Sequence, residues 1–290
     1  MLLGQQAIAA KNPSAQLPLS SLLPAMMMYL MVAVTNIWVG IGSIMARRWA
    51  RALMLILSWS WLIIGIIGTA TTTMILPQTL STIPTQPGQP QVSSAVIAGV
   101  IVGMVIFCGI FLVIMPCVFI YFYSSRHVKA TCEQRDPVKR WTDECPLPVL
   151  GLCAWMALAI PMLLAMCLVG RPVMAFFGVF FTGFPAALSY LAMGGLWAWC
   201  AWALYKLEAR GWWVVLITMC FFTVSTVITF AHHDNIMEMY RLMDFPAAQL
   251  AQLKASPMLE GDRLVMMTTF SMGGFIAYLV YIRRYIRFQQ

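Results

Sequence analysis

The sequence predicts an all-α integral membrane protein, a bundle of about seven transmembrane helices with the N-terminus outside and the C-terminus cytosolic. Three observations carry this. Hydrophobic residues make up 61% of the 290 positions and charged residues 10%, whereas soluble domains carry about 25% charged. Apolar runs recur at the length of about 20 residues that crosses a bilayer. The charges gather between those runs, most densely in Ser124–Pro146. That stretch holds five bases (Arg126, Lys129, Arg135, Lys139, Arg140) and four acids (Glu133, Asp136, Asp143, Glu144).

The spans follow in order as about 22–45, 52–76, 94–123, 148–168, 185–205, 211–230 and 264–282. Residues 1–20, with Pro13 and Pro18, read as a tail or a short surface helix. Asn36 is the one strongly polar residue of the first span. The run Arg47-Arg48-Trp49-Ala50-Arg51 reads as a hinge with an interfacial Trp. Residues 77–93 have no charge, four Pro and one Gly, the composition of a loop. The third span is long, and Pro116 predicts a kink in it. Pro161 falls inside the fourth. Residues 169–184 form an outer segment. Its piece 173–183 reads as interfacial or re-entrant, broken at Gly183–Pro185. The last outer segment, 231–263, predicts a short amphipathic helix starting near Pro246, with Leu250 and Leu253 on its apolar face. No stretch between the spans is long enough for its own core, so 1–290 reads as a single membrane domain.

Orientation follows from the basic residues. Alternating loops put Arg47, Arg48, Arg51, the five bases of 124–146, Lys206, Arg210, Arg283, Arg284 and Arg287 on one side. Only Lys11, Arg171, Arg241, Lys254 and Arg263 fall on the other. Thirteen against five makes the first side cytosolic by the positive-inside rule. Acids divide evenly, so the net charge of +8 lies inside. Basic residues at helix ends orient a membrane protein and do not point to nucleic acid. The charged loop and the Arg-Arg-Trp-Ala-Arg hinge resemble patterns in bacterial membrane proteins, so the expected location is the bacterial inner membrane.

Spans one to three and five to seven share a plan. Each has a span running inward, a basic hinge (RRWAR; KLEARGWW), an aromatic-led span outward, a longer outer loop and a returning span. Span four links the two units. This 3+1+3 layout resembles the SWEET sugar-efflux family in topology, and the resemblance implies two parallel repeats.

No span interior contains Asp, Glu, Lys, Arg or His. Proton relays and ion-coupled pumps use such groups, so their absence argues against a proton-driven pump. Small residues at Ala95/Gly99/Gly103, Gly194/Ala198 and Gly273/Ala277 form ridges on which helices approach closely. The bland reading is packing inside the bundle; the sharper one is an interface to another subunit or a second copy. In the cytosolic loop, His127, Cys132 and Cys145 lack the tight pair of a zinc site. A loop folded against the bundle, or a docking surface, fits better. His232 and His233, with Asp234, Glu238 and Met239, offer metal-ligand chemistry, but more simply mark a helix boundary. No nucleophile-and-base, phosphate-loop or haem motif occurs. No cofactor is expected.

The preferred function is a non-catalytic subunit or scaffold of a membrane assembly, with Arg135, Trp141, Gly99 and Gly103 as candidate partner contacts. The alternatives are a transporter or channel for a neutral or lipidic solute, and a membrane enzyme with an outer metal site at His232/His233. A polar cavity near Asn36, Ser58, Ser60, Thr223, Ser225 and Thr226 would favour transport. A cavity roofed by 173–183 and 234–263 would mark an outward-facing pocket.

Overall fold

The computed structural model of the chain describes residues 19–81, 94–167, 172–231, 233–245, 250 and 261–286. It is mostly helical, with six helices long and apolar enough to cross a membrane: Arg48–Ala70, Ala98–Ser124, Leu147–Cys167, Phe184–Tyr205, Ala209–Ala231 and Leu264–Tyr285. The first predicted span is also helical, as α1 (Leu19–Ile44). Among the described residues, its apolar stretch, Tyr29–Ile44, is shorter than the other six. The chain forms two compact units. One is Asn36–Leu147; the other is Pro148–Gln290 with the chain up to Thr35.

In the first unit, the Arg-Arg-Trp-Ala-Arg run is not a free hinge. Ala46 adopts a left-handed φ of 52° and ends α1. Arg47 N–H donates to the Gly42 carbonyl and Ala46 N–H to that of Ser43, both at 2.9 Å. This is the Schellman pattern, which satisfies carbonyls orphaned at a helix end. Helix α2 (Arg48–Ser81) then starts at once, with Trp49 stacked on Trp38 at 4.3 Å between centroids. It runs past Pro77, so 77–81, expected as loop, are helical; 82–93 lie outside the described residues.

The third span is α3 (Ser94–Cys108), a π-helical turn (Gly109–Ile114) and α4 (Met115–Ser124). The predicted disturbance at Pro116 takes this form. Proline has no N–H to offer the carbonyl four residues back, and its ring crowds that carbonyl. One wider turn, in which Met115 N–H bonds the Ile110 carbonyl, absorbs the misfit. Gly65 on α2 faces this turn. A Cβ there would lie 2.8 Å from the carbonyl carbon and 2.9 Å from the Cβ of Leu112. Only glycine admits the backbone this close.

The loop 124–146 is structured. Ser125 caps α5 (Arg126–Arg135) by accepting from Val128 N–H, and a 3₁₀ turn covers Trp141–Asp143.

The second unit holds α6 (Leu147–Cys167), α7 (Phe184–Tyr205), α8 (Ala209–Ala231) and α10 (Gly261–Ile282), with a short α9 (His233–Leu242) after α8. Trp212 at the start of α8 is buried and donates from Nε1 to the Leu279 carbonyl of α10 at 2.8 Å. Tyr278 Oη reaches the Pro148 carbonyl of α6 at 2.6 Å. The hinge after α7 repeats the Schellman pattern, with Leu207 left-handed and Glu208 N–H bonded to the Ala203 carbonyl. The third instance is at Asp244, after α9. The shared hinge of the two three-span groups is therefore a general helix stop. The amphipathic helix expected to start near Pro246 lies, apart from Leu250, outside the described residues, and α9 is a separate helix before it.

Among the described residues one element departs from an all-helical architecture. The 173–183 piece is a β-hairpin of β1 (Val173–Phe176) and β2 (Val179–Thr182), paired Val173↔Thr182 to Phe176↔Val179. Its two-residue turn, Phe177-Gly178, has φ of 51° and 82°. Two consecutive positive φ values make the primed turn whose twist matches paired strands.

Candidate functional site

The charged loop is anchored on Asp136, 2% exposed in a stretch of otherwise exposed charges. Arg140, one residue beyond the Asp136-Pro137 turn and Val138-Lys139, forks onto it: Nη2 is 2.9 Å from Oδ1, and Nε is 3.2 Å from both oxygens. Arg47 Nη1 stands 4.0 Å away. The backbone N–H of Arg48 also bonds this carboxylate. Arg48 opens α2, so Asp136 caps that helix from another part of the chain, where an anion meets orphaned donors and the positive end of the helix dipole. Arg140 chiefly, then Arg47, hold the Asp136 carboxyl below the usual carboxylate range although burial pushes it up; Asp136 in turn raises Arg140.

A second layer surrounds this pair. Asp143 accepts from Arg140 N–H at 3.0 Å and lies 3.8 Å from Arg48 Nη1. Arg51 Nε donates to the Tyr123 carbonyl at 2.9 Å at the end of α4, and Ser43 bonds Tyr123 through their hydroxyls. Cys132 and Cys145 are buried beneath. Burial raises the Cys132 thiol against the opposing pull of Arg51 and Arg48, and pushes Cys145 up to about 11. Thiols held protonated are poor nucleophiles and poor metal ligands. Among the described residues no three His, Cys, Asp or Glu side chains gather as a ligand set, so His127, Cys132 and Cys145 are not brought together as one. The arrangement is a structural clamp that ties the loop to the start of α2.

Of the candidate partner contacts, Arg135 and Trp141 belong to the clamp loop, whereas Gly99 and Gly103 lie on α3, far along the third span from it. Arg135, at the last position of α5, is exposed. Trp141 is half-exposed at the 3₁₀ turn. Gly99 and Gly103 are exposed on α3, and a Cβ at either would meet nothing within 4 Å. None of the apolar window within Ala98–Ser124 is buried inside the chain, against 39% for Leu147–Cys167. His232 lies outside the described residues, as do the side chains of His233 and Asp234.

In the second unit the hairpin is tied to α8. Phe177 N–H donates to Ser225 Oγ and Gly178 N–H to Thr229 Oγ1, each at 3.0 Å. Tyr190 Oη donates to the Val173 carbonyl at 2.8 Å, and Asn235 of α9 donates to the Thr229 carbonyl at 3.0 Å. Of the second predicted roof segment, the described helix α9 lies against the hairpin turn, with Asn235 beside Gly178. Two cavities lie elsewhere. One is an open cleft of about 580 Å³ lined by Trp59 and Leu62 of α2 and Cys117, Ile120 and Tyr121 of α4, ending at Ser124 and Ser125. The other, among Met156, Trp197, Cys200 and Met219, has no room for water. Ser58, Ser60 and Thr223 bond back to carbonyls four residues earlier in their own helices, and Ser225 serves the hairpin. These hydroxyls are used structurally.

Two features escaped sequence reasoning. Asp136 and Arg140 are four apart with opposite charge, a visible pairing signal, but their tie to Arg47 and Arg48 depends on a helix cap across the chain. The hairpin had a legible signal: two apolar four-residue runs around a turn ending in Gly178.

Comparison with protein-family models, curated proteins and solved structures gives no match.

Proposed function

We propose that this chain is a non-catalytic subunit or scaffold of an assembly in the bacterial inner membrane, crossing seven times with its charged clamp in the cytosol. The observation that carries the reading is the exposed glycine ridge on α3 of the third span. A glycine ridge facing lipid forgoes contacts that a larger side chain would make, whereas facing another helix it permits close backbone approach. Gly99 and Gly103 have no such neighbour among the described residues. The clamp supports the same reading, because it rigidifies a loop by tying it to the start of α2. The thirteen-to-five division of basic residues supports the orientation. Ser58, Ser60 and Thr223 bond back to their own helices and Ser225 holds the hairpin, which weighs for a scaffold.

Replacement of Gly99 or Gly103 by Leu tests the reading. A Cβ at either position meets no atom within 4 Å among the described residues, so the folded protein is expected to keep its thermal midpoint. The assembly extracted in mild detergent is expected to shift to smaller size in gel filtration and lose its stoichiometric partners. A wild-type chain that elutes alone, or variants that keep the full assembly, would refute it.

A further inference from the structure

The cleft between α2 and α4 has dimensions and chemistry that define its occupant. Its walls, Trp59, Leu62, Cys117 and Ile120, are apolar; its end, Ser124 and Ser125, is polar. The bond from Arg51 Nε to the Tyr123 carbonyl puts these two antiparallel helices in register at the charged end. Leu62 lies eleven residues beyond Arg51, a rise of about 16 Å at 1.5 Å per residue. Half of a hydrocarbon core of about 30 Å is about 15 Å. The cleft therefore runs the depth of one leaflet. Its volume of about 580 Å³ lies within the range of about 300–1,000 Å³ found for ligand pockets.

Charge complementarity fixes the headgroup. The polar end leads directly into α5, whose first turn carries no acid. Arg126 follows Ser125 and makes no ion pair among the described residues; Lys129, one turn on, is 3.9 Å from Glu133 and largely exposed. A neutral headgroup has no counterpart for this end, while a phosphate ester with a net negative charge does.

We propose that this cleft is a binding site for one anionic phospholipid, its acyl chain along Trp59, Leu62, Cys117 and Ile120 and its phosphate at Ser124, Ser125 and Arg126. The site does not depend on the scaffold reading, since its walls and its charge belong to this chain alone.

The test uses the full chain, stripped of lipid in a neutral detergent and titrated with phosphatidylglycerol or phosphatidylcholine of equal chain length, with retention read by native mass spectrometry. One phosphatidylglycerol is expected to be retained at about tenfold lower concentration than phosphatidylcholine, because each basic residue near a headgroup is worth on the order of fivefold. Arg126→Gln is expected to lower that preference about fivefold. Ile120→Trp, which fills the cleft, is expected to abolish retention of both lipids; Leu62→Trp serves if Ile120→Trp loses its helical circular dichroism. Equal retention of the two lipids by the wild type would overturn the proposal. So would undiminished retention by a folded cleft-filling variant. Displacement of the lipid by soluble glycerol 3-phosphate at equal concentration would also overturn it, by showing a site for the anion alone.

Discussion

Replacing Gly65 by Ala tests the account of the third span most directly. The new Cβ would land 2.8 Å and 2.9 Å from two Leu112 atoms, inside the 3.5–4.0 Å at which carbon atoms rest. The obstacle is backbone in a π-helical turn, so no side-chain rotation relieves it. Helix α2 must move away from that turn by most of an ångström. Overpacking of this kind costs about 1–3 kcal/mol. Gly→Ala inside a helix otherwise gains about 1 kcal/mol from backbone entropy. Gly68→Ala separates the two effects, since it lies on the same helix with nothing within 4 Å of its Cβ. The two variants are thus expected to differ by about 1–3 kcal/mol, with Gly65→Ala the less stable. Reversible unfolding by denaturing detergent, followed by circular dichroism, measures the difference. Equal midpoints would refute both the close contact and the reading of Pro116 as its cause.

Three further outcomes follow from the clamp and the hairpin. Asp136→Asn keeps the shape of the cap and removes its charge, so it is expected to lower the thermal midpoint. Because the folded carboxyl titrates below the usual value near 3.9, its contribution is full above about pH 4 and drains as pH falls through the folded value. The midpoint gap between wild type and variant should then be level from about pH 5 to 8 and narrow progressively as pH falls below about 4; a gap that stays level in acid would contradict this. Cys145, with its thiol pushed up to about 11, should be alkylated by maleimide at about pH 8 far more slowly than in the denatured chain, where a free thiol near 8.5 is partly thiolate; equal rates would refute its burial. Ser225→Ala and Thr229→Val each strip a part-buried backbone N–H of its acceptor, at a cost of about 1 kcal/mol, read as a lowered unfolding midpoint; an unchanged midpoint would show that the hairpin is not held through those hydroxyls.

How much of this was legible in the sequence depends on the range of the interaction. Spans were legible because length and apolarity suffice to cross a bilayer, and the boundaries at Tyr205 and Ile282 fall where the basic runs begin. Pro116 was legible as a disturbance but not as a π-helical turn, because its form depends on Gly65 in another helix. The Arg-Arg-Trp-Ala-Arg run looked like a hinge, since sequence shows three like charges and not the distant Asp136 that lets a helix begin among them. The outer segment 173–183 was legible as non-spanning. Its strands were obscured by a run of apolar residues in which neither a two-residue nor a helical period stands out. The ridge at Gly99 and Gly103 was visible as spacing, but whether it packs inside the chain could be read only from coordinates.

The hairpin also constrains how the chain is made. Its two turn donors, on Phe177 and Gly178, find their acceptors 48 and 51 residues later in the chain. Those acceptors leave the ribosome only after α7 and most of α8 have been synthesised. Until then the turn N–H groups have no protein partner, and in hydrocarbon each would cost several kcal/mol. The nascent hairpin must therefore wait in contact with water and be drawn in by α8 as that helix inserts. Biogenesis of this half of the protein is ordered, with α8 insertion preceding hairpin docking, and a stall placed between residues 182 and 225 should leave the hairpin open to protease from the aqueous side.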